Sequence, residues 1–546
     1  MAAFSKQFFL VLSLIYGGWL LLIWLWPSSP YLLCFDDAFY YFEIARNVAH
    51  GFGPTFDRIH PTNGFHPLWL NFCIPVYRLG FEGLTAVRML LSMQFVLWLG
   101  ACWIIGHMYN TIVSPRLSAT ETPGHTSCEK GISRTVCVLF ALIFCCPAFL
   151  KAYVNGLESA VYAVCYTMLL WQAVRVQGRF LAGTTRRQRL LLGATAALCF
   201  LARTDAVFLL LCLGCCCLID AYPFKIKPLV QLAEIFILPA TVVLLFMLWS
   251  YSAFEIAWQV SGEVKQIPLT LYRTGVLTVS LAFSGMLAWF FKNPARFSDR
   301  NIPSSGAVSR FPCVKNFIGS TWWFALFCCL LIIYYTVMQA FPRPWYFGPV
   351  LLYGCIVFLL AVTDILSLAR KEDLRRHNAA SSLPRIQWIL TVPLALCIIV
   401  LSLNKLDPRV VSMRIANQNA GQWISDNLPR NAVLGSWDAG VIAYFTDQKI
   451  INLDGVVNSI EYARALKKGT AGMLLEKQGI AYLVNHGIMD SGNGRELKQA
   501  ADRLFGKGAS DRLRLEKTWP FTYRGSTNRF GRGIWPMAVF LYKIDP

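Results

Sequence analysis

Apolar runs of helical length, nearly free of charge, recur along the chain up to residue 404, and a soluble fold has no core that could bury so many. The first, Phe8 to Trp26, follows Lys6 and has no small-residue cleavage site behind it. It therefore reads as a transmembrane helix rather than a removable signal peptide. Further runs lie at 85–108, 135–150, 159–174, 190–202, 206–219, 235–254, 274–291, 321–340, 345–363 and 386–404. Together they predict a mainly α, polytopic helical bundle of about eleven spans. Composition agrees, since only 15% of residues are charged and 56% are hydrophobic, against about a quarter charged in an ordinary soluble domain.

The formal charge of +20 would suit a nucleic-acid binder only if the cations gathered on one soluble face. They sit instead in short loops between apolar runs, so they report topology and imply no nucleic-acid partner. Pro67 to Pro75 is apolar but too short to span. If that piece lies along the membrane and the N-terminus is cytoplasmic, the loops rich in Arg and Lys (Arg175 to Arg189, Lys292 to Lys315, Arg370 to Arg385) all fall inside. The same bias favours a hairpin over one broken helix where the runs 190–202 and 206–219 meet at Arg203-Thr204-Asp205. The cysteines lie largely within apolar runs without metal-type spacing, so they read as packing residues.

Two domains follow. Residues 1–404 form the membrane part, with a long first external loop at 27–84. Residues 405–546 are mixed and polar, and form a soluble domain on the outer face of the inner (plasma) membrane, periplasmic or external. Its pattern predicts helices around Asn417 to Asn427 and Ile460 to Lys468. Strands are predicted at Ala432 to Trp437, Lys449 to Leu453, Ala481 to Asn485 and Met537 to Lys543, which makes a small α/β domain.

This topology gathers polar groups on one side. In the first loop Asp36 and Asp37 directly precede a helix whose dipole favours ionised carboxylates. One Asp there can be a simple N-cap; two adjacent ones cannot both cap. A carboxylate facing a hydroxyl acceptor is what a general base requires. Glu158, Arg203, Asp205 and Arg343 stand at other external helix ends. Arg203 with Asp205 can be a structural ion pair, and Arg343 beside Trp345 an interfacial anchor. Together, two arginines near several carboxylates point to a site that binds an anionic, lipid-anchored group while deprotonating another. His50, His60 and His66 match no zinc spacing. Asp36 and Asp37 offer oxygen ligands that suit Mg²⁺ or Mn²⁺, although nothing in the pattern requires either.

The string DDAFYYFEIARNVAHGFGPTFDRIHPTNGFHPLW, followed by NGLES at Asn155 to Ser159, LARTD at Leu201 to Asp205 and PWYFGP at Pro344 to Pro349, resembles the multi-spanning GT-C glycosyltransferases of bacterial membranes. The segment Gly421 to Asn458 is similar to the external α/β domain of many such proteins. The resemblance implies an inverting transferase that takes a sugar from a polyprenyl-phosphate donor and passes it to a hydroxyl of a glycan, lipid or protein acceptor. It implies a catalytic base at Asp36 or Asp37, with Glu158 orienting the acceptor or supporting the base. Arg203 and Arg343 would neutralise the departing phosphate, and Tyr40, His66 and Trp69 would shape the sugar pocket beside Asp205. Asp438 and Asp454 follow strand-like runs, where α/β domains bind ligands, and Asp438 is an acceptor contact on that reading. The oligosaccharyl branch uses a divalent metal and others do not, so no cofactor is required. A lipid or lipid-linked-saccharide flippase is the alternative, but it would place charges near the bilayer midplane and show repeats.

Overall fold

The computed structural model describes residues 6–117, 126–222, 224–265, 311–338, 343–375, 396, 409–489, 495–527 and 531–545. In the membrane part the helices are α1 (Lys6–Leu25), α2 (Pro30–Leu33), α3 (Asp36–Ala49), α4 (Pro67–Arg78), α5 (Gly83–Leu117), α6 (Thr126–Phe144), α7 (Pro147–Tyr153) and α8 (Ser159–Arg175). They continue with α9 (Arg186–Ala202), α10 (Val207–Ala221), α11 (Ile226–Phe254), α12 (Val260–Lys265), α13 (Pro312–Met338) and α14 (Gly348–Arg375). The tail adds α15 (Arg409–Asn427), β1 (Val433–Ser436), α16 (Gly440–Tyr444), β2 (Lys449–Asn452), α17 (Ile460–Lys468), α18 (Ala471–Lys477), β3 (Ile480–Ile488), α19 (Arg495–Phe505), β4 (Leu513–Thr527) and β5 (Gly531–Ile544).

Among the described residues six helices are long and apolar enough to cross a membrane, or seven if α6 and α7, bent by 65°, make one span. Of the eleven expected runs, 274–291 and all but residue 396 of 386–404 lie outside the described residues. The runs at 159–174 and 190–202 form helices of 17 residues each. At 1.5 Å per residue, such helices reach about 26 Å, just under the hydrocarbon thickness. Helix α4, with 12 residues, is far shorter. The cysteines whose side chains the structure describes, from Cys34 to Cys355, are free thiols.

The tail sheet runs β2-β1-β3-β5-β4, with β1 parallel to β2 and β3, and β5 antiparallel to both of its neighbours. Strand β4 is missing from the sequence reading because Leu513–Thr527 is charged and contains Pro520. It is an edge strand, where a proline withholds no N–H from the sheet. Helices α17, α18 and α19 bury one set of side chains, including Leu453, Leu475 and Leu497, in a core of their own. The opposite surface, with Leu434, Ile450, Val484 and all of α16, joins the core that continues into the membrane helices.

That junction includes side chains of the first loop that grip main-chain atoms of the tail. The Tyr40 hydroxyl shares its proton between the Trp437 carbonyl at 3.5 Å and Asp454, Arg46 donates to the Tyr444 carbonyl at 3.0 Å, and Thr62 donates to the Asn458 carbonyl at 3.1 Å. Helix α16 lies so close that a Cβ at Gly440 would stand 2.3 Å from the Asp36 carbonyl oxygen and 2.7 Å from its Oδ2. Gly440→Ala should therefore push α16 off α3 and lower stability by about 1–3 kcal/mol, as overpacking of a tight contact does. Limited proteolysis should then release the tail domain sooner; an unchanged cleavage pattern would mean that α3 can give way.

Candidate active site

Helix α3 begins two residues earlier than the sequence suggests. Its N-cap is Phe35, whose extended backbone makes no side-chain cap, so Asp36 and Asp37 occupy the first turn itself. Their acidity suits the helix dipole, but the two carboxylates have different duties. Asp36 accepts the Gly440 and Val441 backbone N–H groups, each at 3.0 Å, one on each oxygen, so it caps α16 rather than its own helix. Burial, with the Asp438 charge nearby, pushes Asp36 up to about 7 even though these two amides pull the other way. Asp37, next in sequence, makes no hydrogen bond or ion pair among the described residues and faces a cavity of about 510 Å³.

The cavity lies where the first loop, the second loop at 155–158, the break between α9 and α10, α12, the end of α13 and the turn just before α14 converge. Each is fixed by local chemistry. Gln94, from the spanning helix α5, accepts the Gly156 N–H at 2.9 Å and donates to the Leu157 carbonyl, and Trp69 donates its indole N–H to the Gly156 carbonyl at 2.9 Å. Gly156 has φ +83°, and a Cβ there would stand 2.5 Å from that of Ala38, so this turn needs glycine. The Asn63 amide donates to Ser250 at 2.7 Å and to the Trp258 carbonyl at 2.8 Å, while its oxygen accepts the Val260 N–H at 2.8 Å. That ties α12, and so Lys265, to the first loop.

Glu158 and Arg203 are buried together. The Arg203 guanidinium donates to Glu158, meets both oxygens of Asp205 (Nε to Oδ1 at 3.1 Å, Nη2 to Oδ2 at 2.8 Å) and reaches the Tyr335 hydroxyl at 3.1 Å. Tyr335 donates to Asp205, and Tyr41 donates to the other Glu158 oxygen at 3.0 Å. The ends of this network are closed among themselves. Lys265 is the cation at the cavity wall that sequence reading missed. Its Nζ donates to the Tyr346 hydroxyl at 3.1 Å and, among the described residues, meets no carboxylate at ion-pair distance. Tyr346 stacks on Tyr335 at 4.3 Å. The neighbouring Tyr346 hydroxyl and the charges of Asp37 and Asp454 raise Lys265 above the ordinary lysine range despite its burial.

Of the residues singled out from sequence, Asp37, Tyr40, His66, Glu158, Arg203 and Asp205 line the cavity. Trp69 is fully buried behind its wall. Arg343 is exposed, off the cavity, with its guanidinium 5.9 Å above the Trp345 ring. Asp438 lies beyond the lining, half exposed, with Oδ2 3.4 Å from His486 Nε2. Asp454 is nearer: its Oδ2 accepts the Tyr40 hydroxyl at 3.4 Å, its Oδ1 accepts the Val456 N–H, and burial pushes it up to about 7. No local signal marks Lys265, Tyr335 or Gln259 in the sequence, because only the crossing of separate helices brings them to the cavity.

The other polar groups that the sequence offers as cation ligands are held by neighbours. Both Asp36 oxygens are taken by amides, His60 is held by Asp57 at 2.6 Å, and His50 lies 3.4 Å from Glu82. Among the described residues no three His, Cys, Asp or Glu side chains come together in a way that could hold an ion.

Residues 409–533 match the family model described as a domain of unknown function, DUF8728. No curated protein matches the chain. Among solved structures the chain is similar to an oligosaccharyltransferase of Archaeoglobus fulgidus in complex with zinc and sulfate, at 14% identity over 97% of this chain and 73% of that one. The TM-score is 0.47, below the level from which a shared fold follows.

Proposed function

We propose that the protein is a glycosyltransferase that moves a hexosyl or pentosyl unit from a polyprenyl-phosphate donor to a hydroxyl of a glycan, lipid or protein acceptor. The observation that carries this reading is the cavity wall on which an uncommitted carboxylate, Asp37, shares space with a cation, Lys265, that has no carboxylate partner among the described residues. A base and an anion site in one cavity are what transfer from a phosphate-linked sugar demands. The first-loop resemblance to GT-C transferases supports the same reading. On it the N-terminus is cytoplasmic and the tail domain lies outside, where the donor occupies the outer leaflet.

In this reaction the acceptor oxygen attacks the anomeric carbon from the face opposite the phosphate, and the configuration inverts. Asp37 takes the hydroxyl proton as the new C–O bond forms. The bond to the phosphate oxygen breaks, and its electron pair leaves with the phosphate, which Lys265 neutralises. Glu158 and Asp205 hold Arg203 and Tyr335 as a rigid wall, and Arg203 lends its field to the phosphate without leaving its partners. Tyr40 and His66 flank the sugar, Trp69 sets the second loop behind them, and Asp438 lies on the side from which an acceptor approaches.

The test is transfer of radiolabelled sugar from polyprenyl-phosphate donors in membranes that carry the chain. Lys265→Ala should reduce kcat/KM for the donor about a hundredfold, the scale of losing one charge-stabilising donor. If every donor fails while vesicles carrying the protein move the labelled lipid between leaflets, the flippase reading takes its place.

A further inference from the structure

The His66 ring is held so that only one protonation state fits. Its Nδ1 stands 3.3 Å from the Thr204 backbone N–H, which cannot be turned round, and 2.9 Å from the Gln259 side-chain nitrogen. The Gln259 amide is fixed in turn, because the same nitrogen donates to the Phe65 carbonyl, which only accepts, while its oxygen accepts the Thr204 hydroxyl at 3.0 Å. With two N–H groups aimed at it, Nδ1 must be bare and the proton must sit on Nε2. Nε2 is 3.7 Å from the Glu158 carboxylate, too far for a hydrogen bond, and His66 lines the cavity.

Resting on the transferase reading above, we propose that His66 is a fixed, neutral hydrogen-bond donor to an oxygen of the donor lipid's phosphate, and that Gln259 is the positioning residue that sets it. A phosphoryl group brings only acceptors to a site. Lys265 and a His66 locked in this tautomer bring only donors, so the two match it from the same wall. Glu158 from the second loop, Arg203 and Asp205 from the break between α9 and α10, and Lys265 from α12 are the charges that face the ring. Burial outweighs the two carboxylates and lowers the imidazole to about 4, so it stays neutral across the working range. His66 on this view is not a proton acceptor in the reaction.

The first measurement needs no activity: ¹⁵N NMR of histidine-labelled protein in detergent, with His66→Gln identifying the signal. The expected ring has a bare Nδ1 and a protonated Nε2 and does not titrate above pH 5. Adding a short-chain polyprenyl phosphate should shift the Nε2 resonance. A ring protonated on Nδ1, one titrating near the ordinary ~6.5, or an Nε2 signal indifferent to the phosphate overturns the proposal. In transfer assays His66→Gln, which keeps an N–H, should retain more kcat than His66→Phe, whose loss should be about a hundredfold. Gln259→Glu gives the sharper signature. A carboxylate beside the ring favours its charged form, so His66 should titrate at a higher pH than in the parent and activity should gain a pH dependence that the parent lacks. A pH profile parallel to that of the parent would leave Gln259 a purely structural residue and sink the positioning role. Should the parent transfer no sugar at all, the function reading falls, while the NMR experiment still decides the state and ligand of the ring.

Discussion

Asp37→Asn should reduce sugar transfer by about 10²–10⁴-fold, the usual worth of a positioned general base, with no change in thermal stability. Its carboxylate makes no hydrogen bond among the described residues, so the amide leaves the fold as it was and removes only the proton acceptor. Asp36→Asn should do the reverse. One of the two N–H groups of α16 would then face an amide NH₂ instead of an oxygen. The expected cost is about 1–3 kcal/mol of stability, from a buried donor left unmade, with transfer by the folded fraction largely kept. Melting curves and single-turnover transfer on both variants separate the roles. A loss of transfer in Asp36→Asn at unchanged stability, with Asp37→Asn active, would exchange the two assignments.

The second large effect is expected at Arg203. Arg203→Leu strands Glu158 and Asp205 in a buried site without their counter-charge, and breaking a buried pair in this way costs about 3–5 kcal/mol. Arg203→Lys should recover only part of that, since one ammonium cannot serve both oxygens of Asp205 and Glu158 together. Adding Glu158→Gln to Arg203→Leu should restore some stability by removing one of the stranded charges. Fluorescence-detected melting in detergent reads all three. If Arg203→Leu melts with the parent yet binds the donor poorly, the arginine belongs to the phosphate after all and the network is incidental.

The contrast between these two sites marks how far sequence could reach. The apolar runs, the first-loop string and most tail strands are local signals, and they placed Asp37, His66, Glu158 and Arg203 near one another before any geometry was known. What separates Asp36 from Asp37 is not local. It depends on two backbone amides more than 400 residues away in the chain, which no pattern around residue 36 encodes. Lys265 was hidden for the same reason: one lysine in a short polar segment carries no mark until Tyr346 and the cavity are brought to it by α13 and α14. Strand β4 was hidden differently, because an edge strand tolerates the charges and the proline that make its sequence read as a loop.

The grip of the first loop on the tail has one further consequence. Asp36, Tyr40, Arg46 and Thr62 all hold peptide groups: Asp36 two N–H groups, which any residue but proline supplies, and the others carbonyls, which every residue supplies. At Trp437, Val441 and Asn458 these bonds ask only for the path of the main chain, whereas Gly440, Tyr444 and Asp454 take part through their own size or side chains. An inserted or deleted residue between Trp437 and Asn458 would be the disruptive event, because it would move these peptide groups relative to one another.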